Sequence, residues 1–377
     1  MKRGTTRRRL APPPRRAAWG RTRRAAPDPR RPFTAADAAA LGPLLLRLDA
    51  GLDHAARLAT DPVELPRRYA SPHDQEVAGL LAASLAYGRA DLFKPILVRL
   101  LDQLGPSPAA AVDGIAAALG GRTVPATREA WSDDSPAAPR SAAPGSTPEV
   151  AQLLARFAWF RYRFNQPADL AALLAAIGHL RRAHGSLGDR FTALFAAAGG
   201  GPAALRPALA DLAAELREAP PVAALLGGRG TRGLRHLLPD AAGPGAAKRW
   251  NLYLRWMVRG PGPVDLGAWP GLPTAVLVMP LDTHVHRVAR RLGLTARPDA
   301  GWRTAEEITA GLRLVDPADP VRYDFALCHL GMSGACPARL TPAHCTACPL
   351  VSGCRHASAA AGARRRRAPG TGRARRT

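Results

Sequence analysis

The segment PLDTHVHRVARRLGL, residues 280–294, decides how the C-terminal half of this chain folds. Apolar side chains recur along it at i, i+3, i+4 and i+7, at positions Val285, Val288, Ala289 and Leu292. This is the period of an amphipathic helix, so we predict a helix whose buried face begins directly after Asp282. Asp282 then occupies the N-cap position, where a carboxylate accepts hydrogen bonds from the first free amides of a helix.

The same spacing of apolar residues recurs through most of the chain from about residue 32, without a convincing set of alternating strands. We therefore predict an all-α fold. The chain has 377 residues, 47% of them hydrophobic, which suffices for a two-lobed helical protein with a sizeable core. Its apolar runs fall short of the about 20 residues needed to cross a bilayer, which predicts a soluble protein.

Three segments depart from the helical pattern. Residues 1–31 contain twelve Lys and Arg against one Asp, and residues 355–377 contain eight Arg and no acid. We predict that both are disordered basic tails. Residues 119–148 are rich in Pro, Ser and Ala, which is typical of a flexible insertion. One domain spanning residues 32–354 remains.

The formal net charge of +24 favours an acidic partner such as nucleic acid over a purely small-molecule enzyme. The two tails carry 19 of these charges, so the domain between them carries only +5. An Arg-rich N-terminus is also typical of an organelle transit peptide, but the same bias recurs at the C-terminus. We interpret the tails as nonspecific contacts to nucleic acid at most.

Four of the five cysteines are clustered, with the spacing Cys336-x8-Cys345-x2-Cys348-x5-Cys354. They are too close together for a disulfide scaffold, and clustered thiolates hold zinc or an iron–sulfur cluster. A zinc ribbon usually has two CxxC pairs, whereas this loop has one, so we expect an iron–sulfur cluster, with zinc as the alternative. We expect the fifth cysteine, Cys328, to lie in the core, because its neighbours in the sequence are apolar.

Residues 281–288 (LDTHVHRV), followed by Cys-His-Leu-Gly at residues 328–331 and then by the four cysteines, resemble the endonuclease III branch of the helix-hairpin-helix DNA glycosylases. This resemblance implies that Asp282 is the catalytic aspartate and that Cys336, Cys345, Cys348 and Cys354 bind a [4Fe–4S] cluster. The first cysteine gap departs from that branch, since it has eight residues here in place of six.

The hairpin of that superfamily precedes the catalytic aspartate and holds a DNA phosphate with the amides of a Gly-x-Gly turn. Residues 238–251 resemble a degraded version, with Gly243 and Gly245 in the turn and Lys248 at the start of the next helix. Members with lyase activity have a Schiff-base lysine near this position, which implies that Lys248 is a nucleophile. The simpler interpretation is that Lys248 and Arg249 bind phosphate.

The separation between Lys248 and Asp282 is a departure from the superfamily. It is 34 residues here, far more than the glycosylases have. The Pro- and Gly-rich residues 260–273 would account for the excess.

A closer resemblance, over most of residues 45–335, is to a bacterial protein family whose function is unknown, which we interpret as a distant arm of the glycosylases. Five segments carry it: residues 87–89 (YGR), 161–164 (RYRF), 248–259 (KRWNLYLRWMVR), 264–269 (VDLGAW) and 319–325 (DPVRYDF).

Together these features predict a monomeric bacterial DNA glycosylase with associated lyase activity, acting in the cytoplasm near the nucleoid. It would bind double-stranded DNA with a damaged or mismatched base. The predicted catalytic residues are Asp282 and Lys248. The predicted DNA contacts are Gly243, Gly245, Arg249, Tyr87 and Arg287.

Two alternatives remain open. The protein is a non-catalytic iron–sulfur protein that binds nucleic acid on the same scaffold, or it is a metal hydrolase that uses Asp282, His284 and His286. The second alternative is disfavoured, because on a helix His284 and His286 would diverge by about 200°.

Overall fold

The computed structural model describes residues 31–120, 147–227 and 230–358, and within them it confirms the all-α fold. These ranges contain two isolated β-bridges but no β-strand. The helices in chain order are α1 (Ala35–Ala50), α2 (His54–Leu58), α3 (Pro72–Leu85), α4 (Ala90–Leu104), α5 (Pro108–Leu119), α6 (Pro148–Arg156), α7 (Pro167–His184), α8 (Leu187–Ala197), α9 (Leu205–Glu218), α10 (Pro220–Leu226), α11 (Arg232–Leu237), α12 (Lys248–Val258), α13 (Thr283–Leu292), α14 (Trp302–Arg313), α15 (Asp324–Met332) and α16 (Pro342–Ala347). In the described part of the chain, no helix combines the length and the apolar character that a membrane span requires.

Most of the two predicted tails lies outside the described residues, as do residues 121–146 of the predicted insertion. Helices α5 and α6 end and begin at the predicted bounds of that insertion, Leu119 and Pro148. The start of the predicted C-terminal tail differs from the expectation, since it forms a helical turn. Arg355 in this turn is buried, and its guanidinium binds the carboxylate of Asp37 in α1 at 2.8 Å.

Helix α7 lies at the centre of the described residues, with six other helices packed around it. It begins at a capping box between Gln166 and Asp169 and ends at Gly185, whose φ of 85° favours glycine. Gly178 allows α5 to approach closely, since a Cβ atom there would lie 1.9 Å from the carbonyl oxygen of Val112. This single glycine therefore determines the α5–α7 spacing.

Helix α12 is almost completely buried and packs against α3. Gly79 of α3 makes room for it, since a Cβ atom there would lie 2.7 Å from Cε of Met257. The buried apolar side chains form one continuous cluster that runs from α1 to Leu350. The two lobes expected from the sequence therefore share one core.

Glu76 joins several helices from within this core. Its carboxylate binds the guanidinium of Arg181 and accepts hydrogen bonds from the amides of Leu187 and Gly188, both at 3.2 Å. The indole nitrogen of Trp269 also donates to it, at 3.1 Å. A buried carboxylate needs such partners, so the long segment between α12 and α13 is anchored in the core through Trp269.

A second buried ion network surrounds Arg255 of α12, which is 2% exposed. Its guanidinium binds the carboxylates of Asp265, at 3.0 Å, and Asp324. Arg259 binds Asp265 as well, and Asp319 at 2.8 Å. The network thus connects three of the five segments that carry the resemblance to the family of unknown function.

Candidate functional site

Asp282 occupies the N-cap of α13, as predicted, but capping uses only one of its two carboxylate oxygens. Oδ1 accepts hydrogen bonds from the amides of His284, at 2.8 Å, and Val285, at 2.7 Å. Oδ2 faces α15, where the thiol of Cys328 donates to it over 3.7 Å. The residue as a whole is half-buried.

Cys328 lies at the edge of the core, packed against it but only partly buried. Burial raises the pKa of its thiol well above the usual range, and the charges of Asp282 and Asp324 raise it further. The positive charge of Lys248 opposes this rise. The charges of both predicted catalytic residues therefore influence the pKa of the Cys328 thiol, although the two residues are 34 positions apart in the sequence.

Lys248 is the first residue of α12 and is half-buried. The residue before it, Ala247, has a left-handed backbone with φ 48° and ψ 36°, which is rare for a residue with a side chain. Such strain persists only where the surrounding structure imposes it. Lys248 therefore begins α12 directly after a backbone position that its surroundings hold in an unfavourable conformation.

Asp61 belongs to the same group of side chains, and sequence reasoning missed it. It caps a short 3-10 turn, with Oδ1 accepting from the amide of Val63 at 3.0 Å. Burial raises the pKa of Asp61, while the positive charges of Arg255 and Lys248 oppose the rise. The only sequence signal is an Asp-Pro pair, which predicts a turn and nothing more.

We call Asp61, Lys248, Asp282 and Cys328 the Lys248 cluster. Asp282 and Cys328 are in contact, and the charge of Lys248 influences the pKa of both Asp61 and Cys328. The cluster thus groups one amine, two carboxylates and one thiol from four separate segments of the chain. The amine is a potential nucleophile, and a carboxylate of raised pKa is suited to accept a proton.

The predicted hairpin glycines lie in the loop between α11 and α12, but this loop differs from the expected phosphate-binding turn. The amide of Gly243 donates to the carbonyl oxygen of Asp240 at 3.3 Å, so it is already bonded. Arg206 holds the loop from the other side, donating to the carbonyl oxygen of Gly243 at 2.7 Å and to two preceding carbonyls. Gly245 is exposed and pairs with Gly301 in an isolated bridge.

Two predicted DNA contacts, Arg249 and Tyr87, are engaged within the protein. The guanidinium of Arg249 donates to the carbonyl oxygens of Ser84, at 2.7 Å, and His236. Burial lowers its pKa to about 10. The Tyr87 hydroxyl donates to Oδ1 of Asn165, and its ring lies beneath the Arg249 guanidinium, 5.5 Å from the ring centroid. Their proposed DNA-binding role stays a prediction.

Arg287, the remaining predicted DNA contact, connects α13 to the cysteine loop. It donates to the carbonyl oxygens of Cys336 and Gly331, both at 2.9 Å, and contacts Nδ1 of His284 at 3.1 Å. His286 points elsewhere, with Nε2 3.1 Å from the carbonyl oxygen of Arg297. The two histidines thus have separate partners, and this geometry does not form the metal site of the hydrolase alternative.

Three of the four clustered sulfurs have hydrogen-bond donors directed at them. Arg291 donates to Sγ of Cys336 at 3.0 Å. The amide of Leu350 donates to the sulfur of Cys348, and the amides of residues 356 and 357 donate to that of Cys354. The amide hydrogen bonds lower the pKa of Cys348 and Cys354, but burial has the larger effect and raises the pKa of both thiols. Such donors stabilise thiolates, which is how proteins support sulfur ligands of a metal or cluster.

The four thiols lie near one another around α16. The pKa of Cys348 is raised by Cys336 and Cys345, and that of Cys354 by Cys348 and Cys336. Among residues 31–120, 147–227 and 230–358, no three His, Cys, Asp or Glu side chains converge in a metal-binding arrangement. The donor set and its hydrogen bonds nevertheless fit a thiolate-ligated group.

These features define an all-α protein with a lysine–carboxylate cluster and a separate four-cysteine loop. A family model described as a protein of unknown function (DUF2400) matches residues 61–119 and 132–333, more than half of the chain. The chain therefore belongs to this family. No curated protein and no solved structure gives a significant match.

The matched residues contain the whole Lys248 cluster and end three positions before Cys336. The gap between the two matched ranges, residues 120–131, falls within the predicted insertion.

Proposed function

We propose that this protein is a DNA glycosylase with associated lyase activity, with the Lys248 cluster as its active site. The observation that carries the proposal is the contact of Oδ2 of Asp282 with the thiol of Cys328 at 3.7 Å, together with the charge of Lys248, which opposes the raised pKa of that thiol. An amine and a carboxylate in one half-buried site are the groups that attack and stabilise the sugar carbon of a damaged nucleotide. The expected substrate is double-stranded DNA with a damaged or mismatched base, bound by a monomer.

In this mechanism the target base leaves the helix stack and enters the site. The bond between the base and C1′ breaks, the electron pair leaves with the base, and the negative charge of Asp282 stabilises the cationic sugar. The amine nitrogen of Lys248 then attacks C1′, and Asp61 accepts the proton that the amine loses. Asp61 returns that proton to O4′ as the C1′–O4′ bond breaks, which leaves a protonated imine at C1′. Loss of a C2′ proton to water then expels the 3′ phosphate with its electron pair, and the strand is cleaved.

The four-cysteine loop is proposed to hold a [4Fe–4S] cluster through Cys336, Cys345, Cys348 and Cys354, with zinc as the alternative. The support is the set of donors directed at three of these sulfurs and the contact of Arg291 with Cys336. When bound, the group would supply a rigid crosslink of the loop. Arg287 and Arg291 attach this loop to α13, which Asp282 caps.

Borohydride trapping on DNA with an abasic site tests the enzyme proposal. We expect the wild-type protein to form a covalent adduct, Lys248→Ala to form none, and the exposed-surface variant Arg290→Ala to form as much as the wild type. An adduct of undiminished yield in Lys248→Ala would show that another amine reacts. A panel of lesion-bearing duplexes then identifies the base.

The second candidate is a non-catalytic nucleic-acid-binding protein on the same scaffold. It is favoured by the Gly243 amide, which is bonded within its own loop. The same experiment separates the two, because this candidate predicts DNA binding without any trapped adduct.

Metal analysis of anaerobically purified protein tests the cluster. We expect a brown protein with about four iron atoms per chain. A Cys348→Ser variant should lose the colour, whereas Cys328→Ser, outside the loop, should keep it. A colourless protein with one zinc per chain would establish the zinc alternative.

A further inference from the structure

Two of the segments that carry the family resemblance have no part in the Lys248 cluster, yet the structure brings them together. The hydroxyl of Tyr162 donates to the carbonyl oxygen of Tyr87, and the Tyr87 hydroxyl lies 3.3 Å from the carbonyl oxygen of Tyr162. Gly88 permits the contact, since a Cβ atom there would lie 2.8 Å from the Tyr162 hydroxyl. Residues 87–89 thus form the base on which the turn of residues 162–165 rests.

This turn is rigid. The backbones of Tyr162 and Asn165 pair across it, with N–O distances of 3.0 and 3.3 Å. Asn165 is completely buried, and its amide nitrogen donates to the carbonyl oxygen of Gly233 at 2.8 Å. Arg163, at the tip, has a left-handed backbone with φ 56°. An arginine gains nothing for folding from this conformation, and strained backbone tends to occur at functional sites.

The turn directs an aromatic ring and positive charge into solvent. Phe164 is 40% exposed, although its inner edge rests on the ring of His236 at 4.7 Å. The guanidinium carbon of Arg232 lies 5.4 Å from the Phe164 ring centroid. Arg163 and Arg232 are both exposed, and within the described residues neither forms an ion pair.

Three arginines act on the ring of His236, which contacts Phe164. Burial lowers the pKa of His236 to about 4, and the charges of Arg249, Arg163 and Arg232 contribute to the fall. His236 is therefore neutral near pH 7, so it adds an uncharged aromatic support while the arginines supply the charge. An exposed ring flanked by guanidinium groups that form no ion pair within the described residues is the arrangement that binds single-stranded nucleic acid by base stacking and phosphate contacts.

We infer that the 162–165 turn is a binding site for an unpaired base of single-stranded DNA, stacked on Phe164, with Arg163 and Arg232 on the adjacent phosphates. This role extends the proposed function without depending on catalysis. Arg249 connects the two sites, because it follows Lys248 in α12 and binds the carbonyl oxygen of His236.

Fluorescence anisotropy with the full-length protein and a labelled oligo-dT strand tests this inference. The measurement is made at raised salt, where the contribution of the basic tails weakens. We expect Phe164→Ala to raise Kd by about 5- to 100-fold, which is the usual effect of losing one stacked base. Phe164→Trp should retain binding, whereas Phe164→Leu, apolar but not aromatic, should behave like Phe164→Ala. Leu314→Ala, which removes another exposed apolar side chain, should bind like the wild type.

Arg163→Gly separates binding from stability. It should weaken binding several-fold while leaving Tm unchanged or raised, because glycine relieves the left-handed backbone. Oligo-rU and a blunt duplex serve as comparison strands. Loss of binding to both single strands in Phe164→Ala, with duplex binding unchanged, supports the inference.

Equal affinities of Phe164→Ala and the wild type for oligo-dT would overturn the inference, as would an effect confined to the duplex or to RNA. Failure of the proposed enzyme function is distinguishable, because it removes the borohydride adduct and leaves the Phe164 dependence of strand binding intact.

Discussion

Oδ2 of Asp282 lies 3.7 Å from Sγ of Cys328, and this contact connects the start of α13 to the middle of α15. The other oxygen of the same carboxylate caps α13. Asp282 therefore caps the helix with one oxygen and contacts Cys328 with the other, and variants can separate these two roles.

Asp282→Asn should stop base excision and leave the protein folded. Asparagine caps helices about as well as aspartate, so the free energy of unfolding should change by less than about 0.5 kcal/mol, whereas Asp282→Ala should cost about 1 kcal/mol. Urea denaturation and an excision assay on the same preparations measure both effects. Excision by Asp282→Asn at the wild-type rate would contradict the proposed mechanism.

The thiol of Cys328 should react faster with iodoacetamide in Asp282→Asn than in the wild type. The charge of Asp282 raises the pKa of this thiol, so removing the charge increases the thiolate fraction at a given pH. Mass spectrometry at pH 8 follows modification of Cys328 alone. Thr283→Ala, at the exposed neighbouring position, should react like the wild type, and a slower reaction of Asp282→Asn would disprove the electrostatic coupling.

Arg255→Met should destabilise the protein by about 3–5 kcal/mol, because it leaves the carboxylates of Asp265 and Asp324 buried without their partner. Arg290→Met, the same change at an exposed position of α13, should leave Tm unchanged. Thermal denaturation followed by circular dichroism compares them. Equal Tm values for the two variants would mean that the network contributes nothing to folding.

Two glycine substitutions should change the free energy of unfolding in opposite directions. Gly178→Ala should cost about 1–3 kcal/mol, because the new methyl group would meet the carbonyl of Val112 between α7 and α5. Gly114→Ala should stabilise by about 0.5–1 kcal/mol, because that helical position is exposed and has open space. Chemical denaturation measures both, and a stabilising Gly178→Ala would refute the close α5–α7 contact.

His329 should make the protein lose stability below neutral pH. It is 2% exposed, neither ring nitrogen has a partner, and burial lowers its pKa to about 4. Since the unfolded value is about 6.5, the contribution of neutral His329 is complete above pH 6.5 and disappears as the pH falls towards 4. The slope should approach about 1.4 kcal/mol per pH unit.

The variant His329→Phe should reduce the slope of unfolding free energy against pH between 6.5 and 4 relative to the wild type. At pH 8 it should be at least as stable, because it removes two unpartnered polar atoms. An unchanged slope would assign the acid sensitivity to other groups.

Much of the fold was predictable, because its signals are local. The periodicity of residues 285–292 predicted α13, and the same segment predicted Asp282 as its cap. The expected bounds of the insertion coincide with helix ends at Leu119 and Pro148. The tail boundary was wrong at Arg355, because its ion pair with Asp37 joins residues more than 300 positions apart.

The site was only partly predictable. Asp282 and Lys248 were identified through a family resemblance, but no local signal indicated that Asp61 joins them or that Arg249 and Tyr87 are engaged inside the protein. The 162–165 turn was not predictable from local signals either. The side chain of Asn165 holds this turn by bonds to Tyr87 and Gly233, which are distant in the sequence.

The all-α class and the Asp282 cap could be read from the sequence, because helix periodicity and capping act over a few residues. Which charged side chains form ion pairs, such as Arg255 with Asp265 and Asp324, became clear from the tertiary structure. The Lys248 cluster and the Arg255 network each join residues from distant segments, and the cost of burying an unpaired charge selects such partners only after the helices have packed.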